Sequence, residues 1–315
     1  MPRRLAATLL VVALLAGTAT AFAVSEQLKL EPVPVTGTRV DKVFSPVCGC
    51  DQGRAMISFR LRKDGRVTLQ LLDSGDHVVR TLAEEVRLNA GRVTFQWNGR
   101  DNEGALVPEA SYRPRVRLRE HGREINLPNP IRVDTTKPEV TLVSASPREI
   151  SPDRDGRRES VVVRYRLSER ANALLYVDGT QRVRTRFRPL EGKIDWAGRF
   201  RGRGLPAGRH TLVLAAVDPA GNRSGAPPFR ITIRYVELAR DAIRARVRTK
   251  FGVRVRTDAK SFRWRFARAS GTARPGLLVL KTPRRPGRYT LYVSANGHAD
   301  KATVQVVRRP RAPRR

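Results

Sequence analysis

The chain holds few of the residues that carry most enzyme chemistry. It has two cysteines, four histidines and three tryptophans in 315 residues. Two thiols cannot complete a four-ligand zinc site, and no histidine lies near them in sequence. His77, His121, His210 and His298 are scattered, and none stands in an H-E-x-x-H pair. There is no G-x-S-x-G elbow and no P-loop. The glycine-rich stretch Gly202-Arg203-Gly204-Leu205-Pro206-Ala207-Gly208 lacks the strand–loop–helix setting that phosphate binding needs. No stretch has the period of an amphipathic helix, and no apolar run beyond the amino terminus could span a bilayer. These absences predict a protein that is not an enzyme.

Acidic residues are also scarce. The 62 basic residues face 29 acidic ones, a net charge of +33, and only nine of the basic residues are lysine. Arginine pairs bidentately with phosphate and carboxylate, so the excess points to a polyanionic partner. Arg-favouring codons and a solvated basic surface would give the same composition. The charge is concentrated: residues 236–315 hold 22 basic against 4 acidic residues, more than half of the whole excess.

Met1-Pro2-Arg3-Arg4 followed by the uncharged Leu5 to Gly17, with small residues at Ala19, Ala21 and Ala23, reads as a secretory signal. The whole run, Leu5 to Val24, is also about the ~20 residues that cross a bilayer, and uncleaved it would anchor the chain with the arginines inside. The chain is therefore expected to be exported, either secreted or held at the cell surface by residues 5–24. Residues 25–42, with Pro32, Pro34 and Gly37 and no clear period, read as a spacer.

Beyond the spacer the chain repeats itself. Phe44-Ser45-Pro46 leads into an alternating strand at Ala55, Ile57, Phe59 and Leu61, then Trp97-Asn98-Gly99-Arg100-Asp101 and Pro108-Glu109-Ala110-Ser111-Tyr112. Ile150-Ser151-Pro152 leads into Val161, Val163, Tyr165 and Leu167, then Trp196-Ala197-Gly198-Arg199 and Pro206-Ala207-Gly208-Arg209-His210. The two Ser-Pro pairs lie 106 residues apart and the two tryptophans 99. That period is too long for a solenoid unit and suits domains that each close a core. Strand signals broken by turn formers recur throughout, the spacing of an all-β chain. The expected fold class is all-β: tandem immunoglobulin-like β-sandwiches after an N-terminal signal or anchor helix. The expected divisions are 43–135, 136–235, a divergent basic sandwich at 236–307 and a basic tail at 308–315. Residues 129–138 read as a short, stiff linker.

The order S-P-x-x-x-G, alternating strand, W-x-G-R-D-x-x-G and P-x-G-x-Y resembles the FlgD/Vpr-type immunoglobulin-like family, well over residues 43–133 and loosely over 144–234. The resemblance implies a non-catalytic sandwich used for assembly, spacing or attachment. The first copy departs from the pattern with Ala110 in place of glycine, and the second with His210 in place of tyrosine. Nothing resembles the amino-terminal region of the flagellar hook-capping protein, so a hook-cap role is not implied.

Three sets of candidate site residues emerge. Cys48-Gly49-Cys50 places two thiols within reach of each other; a disulfide, two free thiols and a redox or metal role all fit that spacing. The loop from Ser151 to Glu159 puts Ser151, Asp153, Asp155 and Glu159 at positions 1, 3, 5 and 9 of an EF-hand-like spacing, with Gly156 at 6. Val162 stands where the bidentate acid would be, and Arg154, Arg157 and Arg158 oppose a cation. Calcium is thus the one cofactor candidate, set against a turn held by aspartate–backbone bonds. The third set is Arg254, Arg256, Arg263 and Arg265 with Arg308, Arg309, Arg311, Arg314 and Arg315 of the tail, candidates for polyanion contact. The expected function is an exported spacer or adhesion module that binds an anionic cell-envelope polymer; the alternative is an assembly module that binds another exported protein. Nucleic acid is the less favoured partner, because single-strand binding needs exposed aromatics and these aromatics read as core. The membrane is a partner only through an uncleaved N-terminal segment.

Overall fold

The computed structural model describes residues 12–20, 33–186 and 189–308, without the His121 side chain. Residues 12–20 are helical, and among the described residues no helix is long and apolar enough to cross a membrane. The remainder of the predicted signal or anchor, the first part of the predicted spacer, and Arg309, Arg311, Arg314 and Arg315 lie outside the described residues. The chain divides into two compact units, Met1–Thr135 and Thr136–Arg315.

The first unit contains one sandwich. A three-stranded sheet pairs Val35–Val40, Ala55–Leu61 and Gly91–Trp97 in that order. Facing it, a larger sheet runs Val43–Phe44, Ile131–Val133, Ser111–Leu118, Gly65–Leu72 and Val78–Leu88, with Arg123–Asn126 added beside Ser111–Leu118. Period-two alternation explains the packing: Ala55, Ile57, Phe59 and Leu61 all point inward and meet Val67, Leu69, Leu71 and Val116 from the other sheet. Within this core the Trp97 ring packs between Phe44 and Tyr112, with centroids 5.3 and 5.1 Å away. The two repeated motifs meet here. Gly99 has φ +72°, and a Cβ there would lie 2.8 Å from Pro46. The Trp-x-Gly turn therefore needs a glycine because the Ser-Pro turn packs against it. The second copy repeats the contact, with Gly198 (φ +63°) against Ile150 and Pro152.

Two stretches expected to be connectors are strands of this sandwich. Residues 35–40 of the predicted spacer pair with Ala55–Leu61 and bury Val35. Their alternation is hidden because the register slips between Thr36 and Arg39, around Gly37 at φ +58°, a bulge that breaks period two. Within the predicted linker, Ile131–Val133 closes the larger sheet by pairing parallel with Val43–Phe44, and both Ile131 and Val133 are buried.

In the second unit the strand order recurs twice. Residues 140–233 form a three-stranded sheet, Val140–Ser146, Val161–Leu167 and Glu191–Trp196, and a larger one, Glu149–Ile150, Phe229–Ile233, Gly208–Val217, Asn172–Val177 and Thr180–Arg184. Residues 236–307 form Val236–Leu238, Lys250–Thr257 and Gly276–Lys281 against Ala242–Arg246, His298–Val307, Gly287–Ala295, Phe262–Phe266 and Ala269–Ala273. In all three modules a short second strand runs parallel to the last one. The third module is thus the same sandwich with the accessory strands removed, and its own core includes Val253, Val255, Phe262, Leu291 and Val304.

One further device is common to the three. At the start of the strand that pairs antiparallel with the last one, a ring side chain hydrogen-bonds the carbonyl four residues earlier. Tyr112 donates to Pro108 at 2.9 Å and Tyr289 to Arg285 at 3.0 Å. His210 takes the same place through Nε2, 2.9 Å from the Pro206 carbonyl, and its Nδ1 lies 2.7 Å from Asp178. This is the tyrosine corner of immunoglobulin-like sandwiches, with imidazole substituted once.

Candidate polyanion-binding face

Alternation in Phe262–Phe266 turns Phe262 and Phe266 into the core of the third module and leaves Arg263 and Arg265 on the outer face of its five-stranded sheet. Strand register supplies their neighbours. Arg263 stands between Thr272 and Ser294, and Arg265 between Ser270 and Tyr292; Tyr292 is followed by Lys301 on the next strand. Further along the same face Arg288 lies opposite Gln305, which lies opposite Arg244. The sheet thus presents Arg244, Arg246, Arg263, Arg265, Arg288 and Lys301 outward. The only acid on its five strands, Asp300, points away and accepts the Leu238 backbone N–H at 2.7 Å. None of these six cations makes an ion pair among the described residues.

A shallow groove of about 540 Å³ crosses this face, lined by Arg263, Arg265, Ser270, Thr272, Tyr292 and Ser294. The Arg265 guanidinium lies 5.0 Å from the Tyr292 ring centroid, and Tyr292 is 41% exposed. Such a pair holds the guanidinium in place while its outer N–H groups stay free to donate. The aromatics were expected in the core; Tyr292 departs from that expectation because it falls between Leu291 and Val293, which take the inward positions. Lys301, Arg288, Arg246 and Arg244 were missed for another reason. Period two in each strand places them outward, but only the strand order places them beside Arg263 and Arg265.

The candidate arginines are not one cluster. Arg254 and Arg256 lie on the outer face of the three-stranded sheet, on the far side of the same sandwich. Arg256 is 3.9 Å from Glu237, which also takes Arg234 at 2.6 Å. Arg254 pairs in register with Leu277, which is 67% exposed. That face is mixed, part apolar and part ion-paired. Arg308 is exposed just after His298–Val307.

The acidic loop of the second module brings carboxylate oxygens of Asp153, Asp155 and Glu159 within 4.8 Å of one another. Its donors come from the protein. The Asn296 amide donates to Asp153 at 3.0 Å and to Asp155 at 3.1 Å, and Arg199 contacts Glu159 at 2.9 Å. Ser151 donates its hydroxyl to Asp153 at 3.3 Å, and the Arg157 N–H donates to Asp155 at 2.8 Å. Asp258, from the third module, is pushed above the usual carboxylate range by burial, helped by the charges of Asp153 and Asp155 and partly offset by the Ser151 hydroxyl. The acidic loop and the third module are thus joined by polar contacts centred on Asn296, and Arg157 adds a bond to the Asp258 carbonyl at 3.1 Å. In the first module the sulfurs of Cys48 and Cys50 are bonded, with Cα atoms 5.2 Å apart.

Residues 50–121 match the family model of the FlgD Ig-like domain. The first module is a FlgD-type immunoglobulin-like domain. No curated protein sequence matches the chain. Among solved structures the chain is similar to the fibronectin(III)-like modules of Clostridium thermocellum CbhA, at 17% identity and TM-score 0.36, over 63% of this chain and 94% of that one. It is also similar to a bacterial ice-binding adhesin, at 12% identity and TM-score 0.28 over 88% and 99%, and to FlgD from P. aeruginosa, at 17% and 0.23 over 37% and 84%.

Proposed function

We propose that the protein is an exported, non-enzymatic envelope protein, a string of immunoglobulin-like spacers whose last module binds an anionic envelope polymer. The observation that carries this reading is the outer face of the five-stranded sheet: six cations and no outward acid on its strands. Cations left without partners repel one another, and a face of one sign is retained at that cost where a polyanion neutralises it. The FlgD Ig-like match and the repeated sandwich support a role in spacing and attachment, and the arginine-flanked apolar amino terminus supports export.

The test is retention of the full chain on isolated cell envelope across a salt series. With about three side chains neutralising acidic groups, affinity falls roughly a hundredfold between about 50 and about 400 mM salt. Retention that survives high salt removes this reading and favours a packed protein interface. That second reading rests on Leu277 and Val279, exposed side by side on the other face.

A further inference from the structure

The polymer's chemistry is legible in the way the groove alternates charge with ring and hydroxyl. Across the strands one row reads Ser270, Arg265, Tyr292, Lys301, and the next reads Thr272, Arg263, Ser294, Ala299. Neighbouring strands lie about 4.8 Å apart, so Arg265 and Lys301 are about 10 Å apart with the Tyr292 ring between them, and Arg263 is about 7 Å along the strand from Arg265. Resting on the polymer-binding reading above, we propose that this face binds an acidic polysaccharide, with Arg263, Arg265 and Lys301 on its acid groups and Tyr292 under a sugar ring between them.

Three observations favour a glycan over other polyanions. Polyphosphate carries charge on every unit and has no ring to set over Tyr292, nor neutral hydroxyls to meet Ser270, Thr272 and Ser294. A single-stranded nucleic acid needs several open aromatic platforms. This face has one exposed aromatic, Tyr292. Sugar hydroxyls both donate and accept, as do the serine and threonine hydroxyls that border the arginines here.

The experiment compares three variants of the full chain: Arg263→Ala with Arg265→Ala, Arg254→Ala with Arg256→Ala, and Tyr292→Ala. Each is checked for an unchanged far-UV spectrum and melting temperature. The probes are polygalacturonate, the uncharged polymer dextran, polyphosphate and a single-stranded oligonucleotide, all in low salt. The expected result is binding of polygalacturonate but not dextran. The Arg263/Arg265 pair loses about tenfold or more in affinity, while the Arg254/Arg256 pair, with the same charge removed, loses less than about threefold. Tyr292→Ala weakens polygalacturonate severalfold and leaves polyphosphate unchanged. Equal losses in the two arginine pairs overturn the assignment of the face but leave polymer binding standing. Tighter binding of polyphosphate or oligonucleotide than of polygalacturonate, or no effect of Tyr292→Ala, overturns the glycan. Failure to bind any polyanion overturns the proposed function itself.

Discussion

Replacing His210 separates the two bonds that the second module's corner makes. The ring is buried, and Nε2 and Nδ1 face the Pro206 carbonyl and the Asp178 carboxylate. In His210→Phe the ring volume stays and both bonds go. The carbonyl bond contributes about 1 kcal/mol. The Asp178 side chain is 49% exposed, so solvent screening limits its pair to about 0.5 kcal/mol. The expected loss of about 1.5 kcal/mol lowers the melting temperature by roughly 3–6 °C if residues 136–308 melt together. His210→Tyr puts back the phenol that Tyr112 and Tyr289 use at the same four-residue offset. Asp178 keeps the Thr211 N–H at 2.9 Å. This variant is expected to melt within about 2 °C of the native chain, since only the screened pair is lost. Burial alone would raise the Asp178 carboxyl, but the His210 bond, the Thr211 N–H and the charges of His210 and Arg182 outweigh it and hold it below its usual range. A depressed carboxyl stabilises above its unfolded range near pH ~4 and loses that contribution as pH falls through the folded value. The gap between native and His210→Phe therefore narrows in acid. Calorimetry of the full chain at neutral and acid pH is the assay. If His210→Tyr melts as low as His210→Phe, the corner is not one interchangeable device, and the shared offset has no energetic meaning.

Three other perturbations test the same geometry. Gly198→Ala forces a Cβ 2.8 Å from Ile150 at φ +63° and is expected to cost about 2–3 kcal/mol; a chemical-denaturation midpoint equal to the native one would show that the two turns do not constrain each other. Asp258→Asn removes a carboxylate whose range is raised by burial. A raised acid contributes stability below the unfolded value and loses it as pH rises through the folded value. The variant should therefore gain most on the native chain at neutral pH and little below about pH 4, and melts that run parallel across that range would refute the assignment. Asn296→Ala deletes both amide bonds to Asp153 and Asp155 and is expected to cost about 1 kcal/mol at these exposed positions. Hydrogen exchange should rise first in residues 153–159 and 296–297, and an unchanged pattern would show that the acidic loop stands without the third module.

Sandwich class was legible because period two survives in the long core strands, where each apolar residue has a polar neighbour on the solvent side. It failed where a bulge shifts the phase, as around Gly37, and where a strand of three residues is too short to show a period, as at Ile131–Val133. The third module looked divergent for a different reason. It lacks the Ser-Pro and Trp-x-Gly turns, whose mutual packing makes them conspicuous in the first two copies. The corner, however, was present in the sequence. Pro286-Gly287-Arg288-Tyr289 repeats the Gly-Arg-ring ending of Gly208-Arg209-His210, and both glycines have φ values open to few other residues, +154° and +139°.

The candidate face divides along the same line. Alternation shows that Arg263 and Arg265 share a side, and likewise Arg254 and Arg256, but it is blind to which side of a sandwich each strand faces. Two arginine pairs nine residues apart in sequence thus look like one basic patch and lie on opposite surfaces. What separates them is pairing partners: Lys250–Thr257 joins the small sheet beside Glu237, Leu277 and Val279, and Phe262–Phe266 joins the large one beside Tyr292 and Lys301. Because net charge is nearly the same for either pair, a polyanion that responded to charge alone would not distinguish them. A polymer read by the spacing of hydroxyl, ring and cation would, so any difference between the two double variants reports on surface arrangement rather than on the +33 carried by the whole chain.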